Sequence, residues 1–358
     1  YALFMAVKDQ FGGVEWTKWA EDIRLRWENA MDYYRRELYF DIEFQQYMQF
    51  KFYEQWMQLK TYANKKGIQI IGDMPIYVAA DSVEVWTKPE LFQLDEERNP
   101  LFVAGVPADQ FSATGQLWGN PLYAWEEHKK QGYAWWIHRI EESFKIYDVL
   151  RIDHFKGFSD YWQVDGKAEV AKDGSWQPGP GYDLFKAVKE QLGDLPIIAE
   201  DLGNIDDKAR KLLTDCNYPG MKILQFGFED VSGESLDSPH YCIPHSIVYT
   251  GTHDNDVTNG WYNSLTEQQQ QYINDYTHRH EDESICQAMI RQLFATVSNT
   301  AIATMQDVLD LPASSRMNVP STIGGNWQWR MQQSDLTQDK KDFLEKMTTL
   351  YQRANQEK

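Results

Sequence analysis

The pattern of hydrophobic and polar residues changes once along the chain, near Gly67. Before this point, apolar and aromatic residues recur every three or four positions, most clearly from Glu43 to Asn64, which predicts helices for residues 1–66. After it, short apolar or β-branched runs end in polar residues and lead into loops or helical stretches, as strands do. The clearest of these runs are Ile68–Asp73, Val149–Asp153, Pro196–Glu200, Met221–Phe226, Ile247–Thr252 and Ala301–Asp307.

Strands that alternate with helical stretches indicate parallel βα units. Six such units fit a (β/α)8 barrel or a doubly wound sheet, but no glycine-rich phosphate loop follows any of the strands, which counts against the nucleotide-binding form of the second fold. We therefore predict an α/β fold, a (β/α)8 TIM barrel with helical and loop insertions whose first two strands are absent from this chain. The predicted organisation is a helical subdomain at 1–66 and barrel strands three to eight at 67–358, with an inserted active-site lid at about 81–135.

Composition narrows the class of partner. The 358 residues include 54 acidic and 35 basic side chains, a formal net charge of −19, which argues against nucleic acid and anionic membranes. Three widely separated cysteines, Cys216, Cys242 and Cys286, match no zinc or disulfide pattern and favour a reducing compartment, so we predict a cytoplasmic location. Aromatic residues make up 14% of the chain, and their flat faces suit both a protein core and the C–H faces of sugars.

Two predicted strands end in candidate catalytic carboxylates. Arg151 and Asp153 lie two positions apart and so share one face of a strand, where the guanidinium would keep the carboxylate ionised, as a nucleophile for a sugar carbon must be. A purely structural ion pair explains the same spacing equally well. Glu200 ends an apolar run, whose low dielectric would raise the pKa of its carboxyl and suit it to act as an acid and then as a base. On neighbouring strands, the two carboxyl groups would lie roughly 5 Å apart, as in a retaining glycosidase.

A third strand end carries a run of polar residues at 250–256. Such a run is difficult to explain by packing. His253 is placed to hydrogen-bond a substrate hydroxyl, and Asp254 to stabilise a distorted sugar ring. Metal binding is the competing hypothesis, but one histidine among carboxylates is a weak ligand set.

The segments RIDHFKGF (151–158), IIAEDLG (197–203) and TGTHDND (250–256) resemble, in order and spacing, the second, third and fourth conserved regions of the amylomaltases, glycoside hydrolase family 77. GDMPIYVAADS (72–82) resembles the first region. Further similar segments are GVPADQFSATGQLWGNPLY (105–123), YPGMKILQF (218–226) and RMNVPSTIGGNWQWR (316–330). Together they extend over most of the chain.

The resemblance implies a 4-α-glucanotransferase, a glycosyltransferase that moves α-1,4-glucan segments by retaining double displacement. In this family pattern, Asp153 matches the nucleophile, Glu200 the general acid/base, and Asp254 the carboxylate that stabilises the transition state. The implied substrate contacts are Asp73, Tyr77, Arg151, His154, His253 and Asn255, with Asp109, Phe111 and Trp118 in the lid and Asn326 in the C-terminal motif. Met317 and Trp327 are interpreted as packing residues.

The implied partners are maltooligosaccharides and glucans derived from glycogen or starch, and the chemistry requires no cofactor or metal. Two alternatives stay open. One is an α-glucan hydrolase with the same carboxylates in an open, hydrated site. The other is an inactive carbohydrate-binding barrel, which has no need for all three carboxylates.

Overall fold

A computed structural model describes residues 1–108, 114–203 and 205–354. The chain divides into two compact units, Tyr1–Tyr218 and Pro219–Lys358. Within the described residues, each unit contains one three-stranded parallel sheet with helices in its connections, and the first unit also contains a four-stranded antiparallel sheet. The parallel sheets confirm the βα units that were predicted from the hydrophobic pattern.

The first unit begins with helices and then alternates strands and helices. Its helices are α1 (Ala2–Gln10), α2 (Glu21–Arg24), α3 (Glu28–Glu37), α4 (Tyr39–Lys65), α5 (Val83–Thr87), α6 (Trp125–Lys130), α7 (Ala134–Ile146), α8 (Tyr182–Leu192) and α9 (Asp207–Cys216). Its strands are β1 (Ile71–Met74), β2 (Phe102–Val106), β3 (Gln116–Pro121), β4 (Val149–Ile152), β5 (Asp160–Asp165), β6 (Ser175–Pro178) and β7 (Ile197–Ala199). The prediction of helices for residues 1–66 is confirmed.

The parallel sheet of the first unit has the order β1-β4-β7. In its register, Ile152 pairs with Met74 on one side and with Ala199 on the other, so the three strands end at the same level. All of β7 and most of β4 are buried, which explains the unbroken apolar sequence of β7 and the apolar residues on both sides of Arg151 in β4. Gly72 allows β1 to pass close to Tyr147, because a Cβ atom there would lie 2.0 Å from the ring.

Helix α4 is attached by polar contacts to the connection that leads into β4. The Trp56 indole N–H donates to the carbonyl of Ile146 at 2.9 Å, and Lys60 Nζ donates to the carbonyl of Tyr147 at 3.0 Å. These two bonds satisfy carbonyls at the C-terminal end of α7, which have no partner within the helix. The helix thereby fixes the start of β4. Many of its apolar side chains are exposed in this chain, including Phe40, Phe44, Tyr47, Phe50, Phe52 and Tyr62.

The antiparallel sheet has the order β3-β2-β5-β6 and was not predicted from the sequence. Its outer strands, β3 and β6, carry partly exposed polar and aromatic residues, and a register shift interrupts the pairing of β2 with β3. Such short strands lack the clear alternation that identifies a half-buried strand. The predicted lid segment at about 81–135 therefore contains regular structure, namely α5, β2, β3 and α6. Its role as a lid stays a prediction.

The second unit repeats the βα pattern. Its strands are β8 (Gly220–Ile223), β9 (Ser246–Tyr249) and β10 (Thr300–Ile302), and its helices are α10 (Leu224–Glu229), α11 (Thr258–Ser264), α12 (Glu267–Thr277), α13 (Ile285–Ala295), α14 (Met305–Val308) and α15 (Gln338–Leu350). Strand β9 lies between β10 and β8 in a parallel sheet, and all four of its residues are buried. A core that includes Phe228, Val248, Trp261 and Met289 packs on it.

All six predicted strands are present, but three of the predicted runs extend at least three residues beyond the strand: Met221–Phe226, Ile247–Thr252 and Ala301–Asp307, whose strands end at Ile223, Tyr249 and Ile302. The run Met221–Phe226 was predicted as one strand, whereas the chain turns into helix α10 at Leu224. An unbroken buried apolar run does not show where a strand gives way to a helix. In the run Ala301–Asp307, the strand ends at Ile302 and Thr304 caps α14 by accepting from the Asp307 N–H at 3.2 Å. The predicted division at residue 66 is not the boundary between the two compact units, and the functional subdivision stays a prediction.

Candidate active site

Strands β4 and β7 bring two carboxyl residues to one edge of the sheet that they form with β1. The Asp153 N–H donates to the Met74 carbonyl at 3.0 Å, and the Glu200 N–H donates to the Ile152 carbonyl at 3.0 Å. The ladder therefore continues one residue beyond the strands and places Asp153 and Glu200 on neighbouring chain segments. This adjacency confirms the prediction of two carboxyl residues on neighbouring strands.

Arg151 joins two carboxylates at this edge. Its Nη1 donates to Asp73 Oδ1 at 2.6 Å and to Asp153 Oδ1 at 2.9 Å. The guanidinium is almost fully buried, at 8% exposure, whereas about two fifths of each carboxylate side chain is exposed (40% for Asp73 and 38% for Asp153). Burial opposes the charge of Arg151, but the nearby carboxylates outweigh it and raise its pKa. The ion pair predicted from the spacing is present, and it holds two accessible anions in place.

The surroundings of Glu200 act on the pKa of its carboxyl group in opposite directions. Burial and the charge of Asp153 raise its pKa to about 7, although Arg151 and two backbone N–H groups act in the opposite direction. Those N–H groups belong to His154, 2.7 Å from Oε2, and Leu202, 2.9 Å from Oε1. The predicted rise in pKa is confirmed. At neutral pH, protonated and ionised Glu200 are present in similar amounts, as an acid that later serves as a base requires.

His154 directly follows Asp153 and has a left-handed backbone conformation, with φ of 49°. A histidine in this region is uncommon and costs free energy unless its surroundings impose it. Burial lowers the pKa of the imidazole to about 4, so the ring is neutral at physiological pH. The ring meets Trp118 edge-on, with centroids 4.8 Å apart and planes at 89°. Strand β3 therefore places one predicted lid residue against the segment that carries Asp153.

The other predicted residues of this unit differ in accessibility. Tyr77 is buried and stacks on Tyr123 at 5.9 Å, with Trp118 at 6.3 Å on another side. Its hydroxyl pKa is raised by burial. Tyr77 therefore supports the Trp118 ring, and its contact with substrate stays a prediction. Asp109 and Phe111 lie outside the described residues.

In the second unit, His253 and Asp254 follow strand β9 in a loop with several side-chain contacts. Asn318 Nδ2 donates to Asp254 Oδ1 at 2.8 Å, and Arg316 Nη2 donates to the Asp254 carbonyl at 2.7 Å. His253 Nε2 lies 3.3 Å from Asp254 Oδ2, and 45% of the Asp254 side chain is exposed. The C-terminal motif thus fixes Asp254 through both its side chain and its backbone.

The described hydrogen bonds of Asn255 and Asn326 stabilise loops. Asn255 Oδ1 accepts from the Thr252 N–H at 2.9 Å, which closes the turn that contains His253 and Asp254. Asn326 Oδ1 accepts from the Val319 N–H at 3.0 Å and so closes the loop of the C-terminal motif. Both residues were predicted as substrate contacts, and that role stays a prediction.

Sequence reasoning missed three residues of the C-terminal motif. Arg316 and Asn318 contact Asp254, as described above. Trp327 was interpreted as packing rather than as a substrate contact, and its ring does pack on a neighbouring side chain, yet 54% of its surface is exposed. Its ring centroid lies 5.0 Å from that of His253. An exposed tryptophan beside a histidine is suited to stacking on a sugar ring. The clustering of Arg, Asn and Trp in RMNVPSTIGGNWQWR was the only available signal.

We expect Asn318→Ala to lower kcat for glucan transfer about tenfold, because it leaves the orientation of the Asp254 carboxylate unfixed. Initial rates with maltotriose measure the effect. Asn259→Ala is the matched control, because Asn259 Nδ2 also makes two hydrogen bonds in the same unit, to Asp310 and Leu311, away from Asp254. Equal losses of kcat in the two variants would contradict the orienting role.

One group of residues has the composition of a metal site. Ligand atoms of His138, Glu141 and Glu142 lie within 4.8 Å of one another on helix α7. The group is largely exposed, and Lys145 also pairs with Glu142. Exposed clusters of this kind are common surface ion pairs. No metal is needed for the carboxylate chemistry described above.

An aspartate paired with a buried arginine, beside a glutamic acid of raised pKa at the carboxyl ends of neighbouring parallel strands, is typical of retaining glycoside-cleaving enzymes with an α/β barrel. Comparisons with known proteins specify the family. A sequence model of the 4-alpha-glucanotransferases, glycoside hydrolase family 77, matches residues 1–337. The chain belongs to this family.

Individual proteins that are similar to this chain belong to the same family. A 4-alpha-glucanotransferase of Streptococcus pneumoniae is 49% identical over 358 residues, covering 99% of this chain and 71% of the relative. That of Clostridium butyricum is 42% identical, covering 99% and 73%. The structure of amylomaltase from Streptococcus agalactiae in complex with acarbose has a TM-score of 0.97 at 56% identity, covering 99% of this chain and 72% of that one.

These comparisons confirm the predicted fold class, an α/β fold of the TIM-barrel type with insertions. They also confirm the predicted class of enzyme, a transferase of the 4-α-glucanotransferase type, EC 2.4.1.25, in carbohydrate metabolism. Among the described residues, no helix combines the length and the apolar character needed to cross a membrane.

Proposed function

We propose that this chain transfers α-1,4-glucan segments by a retaining double displacement, with Asp153 as nucleophile and Glu200 as general acid and base. The observation that carries the proposal is the raised pKa of Glu200, about 7, beside an aspartate that is paired with a buried arginine. An acid and an anion side by side, at one edge of one sheet, are the two species that such a reaction requires at its start.

In the first step, an Asp153 carboxylate oxygen attacks the anomeric carbon of the donor. Arg151 contacts Oδ1, so we assign the attack to Oδ2. The bond from the anomeric carbon to the glycosidic oxygen breaks, and the proton of Glu200 passes to that oxygen. The departing glucan leaves a covalent glucosyl-enzyme, and Glu200 is now ionised.

In the second step, Glu200 takes the proton of an acceptor hydroxyl. The acceptor oxygen bonds to the anomeric carbon as the bond to Asp153 breaks, which restores the α configuration. Asp254 is assigned to stabilising the positive charge that develops on the ring, a role that rests on its match to the TGTHDND motif. His154, neutral at physiological pH, adds no positive charge beside Glu200.

The proposed donors are maltooligosaccharides and the glucans of glycogen or starch, and the acceptor is another sugar or glucan. Support comes from the S. agalactiae amylomaltase, which was solved with acarbose. The strongly negative formal charge of −19 also favours a neutral polymer over a nucleic acid. A cytoplasmic location stays a prediction from the cysteine pattern.

Incubation with maltotriose tests the proposal. Transfer gives a ladder of longer maltooligosaccharides together with free glucose. Glucose and maltose alone would identify a hydrolase, the first alternative. Binding of acarbose without any product, in a protein with a cooperative unfolding transition, would identify the carbohydrate-binding alternative.

Trp118→Ala tests whether the predicted lid favours transfer over hydrolysis. We expect a several-fold higher ratio of hydrolysis to transfer, because removal of the indole opens the surroundings of His154 to water and removes an apolar surface for the acceptor. Glucose release and oligosaccharide formation are measured from the same reaction. Trp27→Ala is the control, since this tryptophan is 48% exposed and precedes α3, outside the predicted lid. An unchanged ratio in Trp118→Ala would remove Trp118 from this role.

A further inference from the structure

Asp307, on α14, is a buried carboxylate that joins both ends of the loop carrying Asp254. It is 2% exposed. Its Oδ2 accepts from the Thr250 hydroxyl at 2.6 Å, and its Oδ1 accepts from the Thr258 N–H at 2.8 Å. Thr250 directly follows β9, and Thr258 begins α11. The two donors therefore enclose residues 251–257, which include His253 and Asp254.

Burying the Asp307 carboxyl group lowers the stability of the fold unless its hydrogen bonds compensate for the lost hydration. An apolar residue at position 307 would avoid the penalty, but it would not connect Thr250 to Thr258. Hydrogen bonds to a charged acceptor are short and directional, so they fix positions more closely than apolar contacts do.

A second set of bonds fixes Thr250 and Asp307 to each other. The Thr304 N–H donates to Thr250 Oγ1 at 3.4 Å, and Thr304 Oγ1 accepts from the Asp307 N–H at 3.2 Å. The Thr250 N–H donates to the Ile302 carbonyl at 3.2 Å. The end of β9 is thus held by the end of β10 and by the first turn of α14. Motion of the loop at residue 250 requires these bonds to break together.

We infer that Asp307 and Thr250 are positioning residues for Asp254. They fix the ends of the loop, whereas Asn318 orients the Asp254 carboxylate itself. The inference rests on the proposed role of Asp254 in transfer. Displacement of a catalytic group by about 1 Å costs up to about 100-fold in rate, so loss of this bracing has a measurable kinetic consequence.

The test compares Thr250→Val with Thr258→Val. Both threonines are 0% exposed, and both changes replace a hydroxyl by a methyl group. The Thr250 hydroxyl bonds to Asp307, whereas the Thr258 hydroxyl has no hydrogen-bond partner among the described residues and its backbone N–H survives the change. We expect Thr250→Val to lower kcat about 10- to 100-fold with KM within about twofold, and Thr258→Val to leave both constants unchanged. Thr250→Ser keeps the hydroxyl and should restore most of kcat.

Two further readouts distinguish positioning from a general loss of stability. In the Asp254→Asn background, Thr250→Val should add little further loss, because the residue through which it acts is already disabled. Backbone amides of residues 251–257 should exchange with solvent at least about tenfold faster in Thr250→Val than in Thr258→Val. If valine at 250 prevents folding, the pair Thr250→Ala and Thr258→Ala provides the same comparison.

Equal kcat in the two valine variants of an active protein would overturn the inference, as would a full additional loss in the Asp254→Asn background. Unchanged amide exchange of residues 251–257 in Thr250→Val would also overturn it. The exchange measurement does not depend on turnover. Failure of the proposed function shows separately, as wild-type protein that forms no oligosaccharide ladder.

Discussion

Asp153→Asn is expected to lower kcat for transfer by about 10⁴-fold or more, because an amide oxygen is too weak a nucleophile to form the glucosyl-enzyme. The exchange is nearly isosteric, and Arg151 keeps its hydrogen bond to Asp73, so the site should stay folded. KM or the affinity for acarbose should change far less than kcat. Disproportionation of maltotriose, with rapid-quench detection of the covalent intermediate, measures the effect.

Asp207→Asn is the matched control for Asp153→Asn. Asp207 lies in the same unit on α9, pairs only with Arg210 among the described contacts at 3.2 Å, and has a fully exposed side chain. It makes the same change of charge without touching the site, so its kcat should equal that of wild type. Retention of more than about a hundredth of the activity in Asp153→Asn would show that Asp153 is not the nucleophile and favour a structural ion pair.

Glu200 predicts the pH dependence of the first step. The proton of Glu200 must be present when the donor is cleaved, and the pKa of its carboxyl in the free protein is about 7. The protonated fraction therefore falls as pH rises, and kcat/KM for maltotriose should decrease about tenfold for each pH unit above 7. The imidazole of His154, with a pKa of about 4, does not titrate in this range.

Glu200→Gln should lower kcat/KM for maltotriose by about 10²- to 10⁴-fold and remove the decrease above pH 7. With α-maltosyl fluoride as donor, fluoride leaves without protonation, so the first step should be largely restored in the variant. Glu190→Gln, an exposed change on α8, should behave as wild type. A decrease above pH 7 that persists in Glu200→Gln would assign the titration to another group.

These two expectations follow from one feature, the different environments of two neighbouring carboxyl residues. Asp153 faces a buried guanidinium and accepts a hydrogen bond from Arg151 Nη1 at 2.9 Å. Glu200 is held by backbone N–H groups, yet burial and the anionic Asp153 dominate its titration. Because the charge of one raises the pKa of the other, Asp153→Asn should also shift the pH dependence of any residual activity toward lower pH.

The sequence alone determined which strands carry Asp153 and Glu200 and which residues lie next to them. The ends of the apolar runs before Asp153 and Glu200 located the ends of β4 and β7, so these two residues could be placed on adjacent strands. A spacing of two residues put Arg151 and Asp153 on one face, and the hydrogen bond between them confirms it. The apolar run before Glu200 indicated a raised pKa, as found. The local residue pattern is sufficient for the last two statements, because each concerns neighbours in the chain.

Tertiary structure decided what lies far apart in the sequence. The bond from Arg151 to Asp73 spans 78 positions, that from Asn318 to Asp254 spans 64, and that from Thr250 to Asp307 spans 57. The four-stranded antiparallel sheet, which brings Trp118 to His154, belongs to the same group. A residue pattern defines which face of an element is apolar but not which distant element will meet it. That choice depends on packing and on the hydrogen bonds that buried polar groups require, and both arise only once the chain has folded.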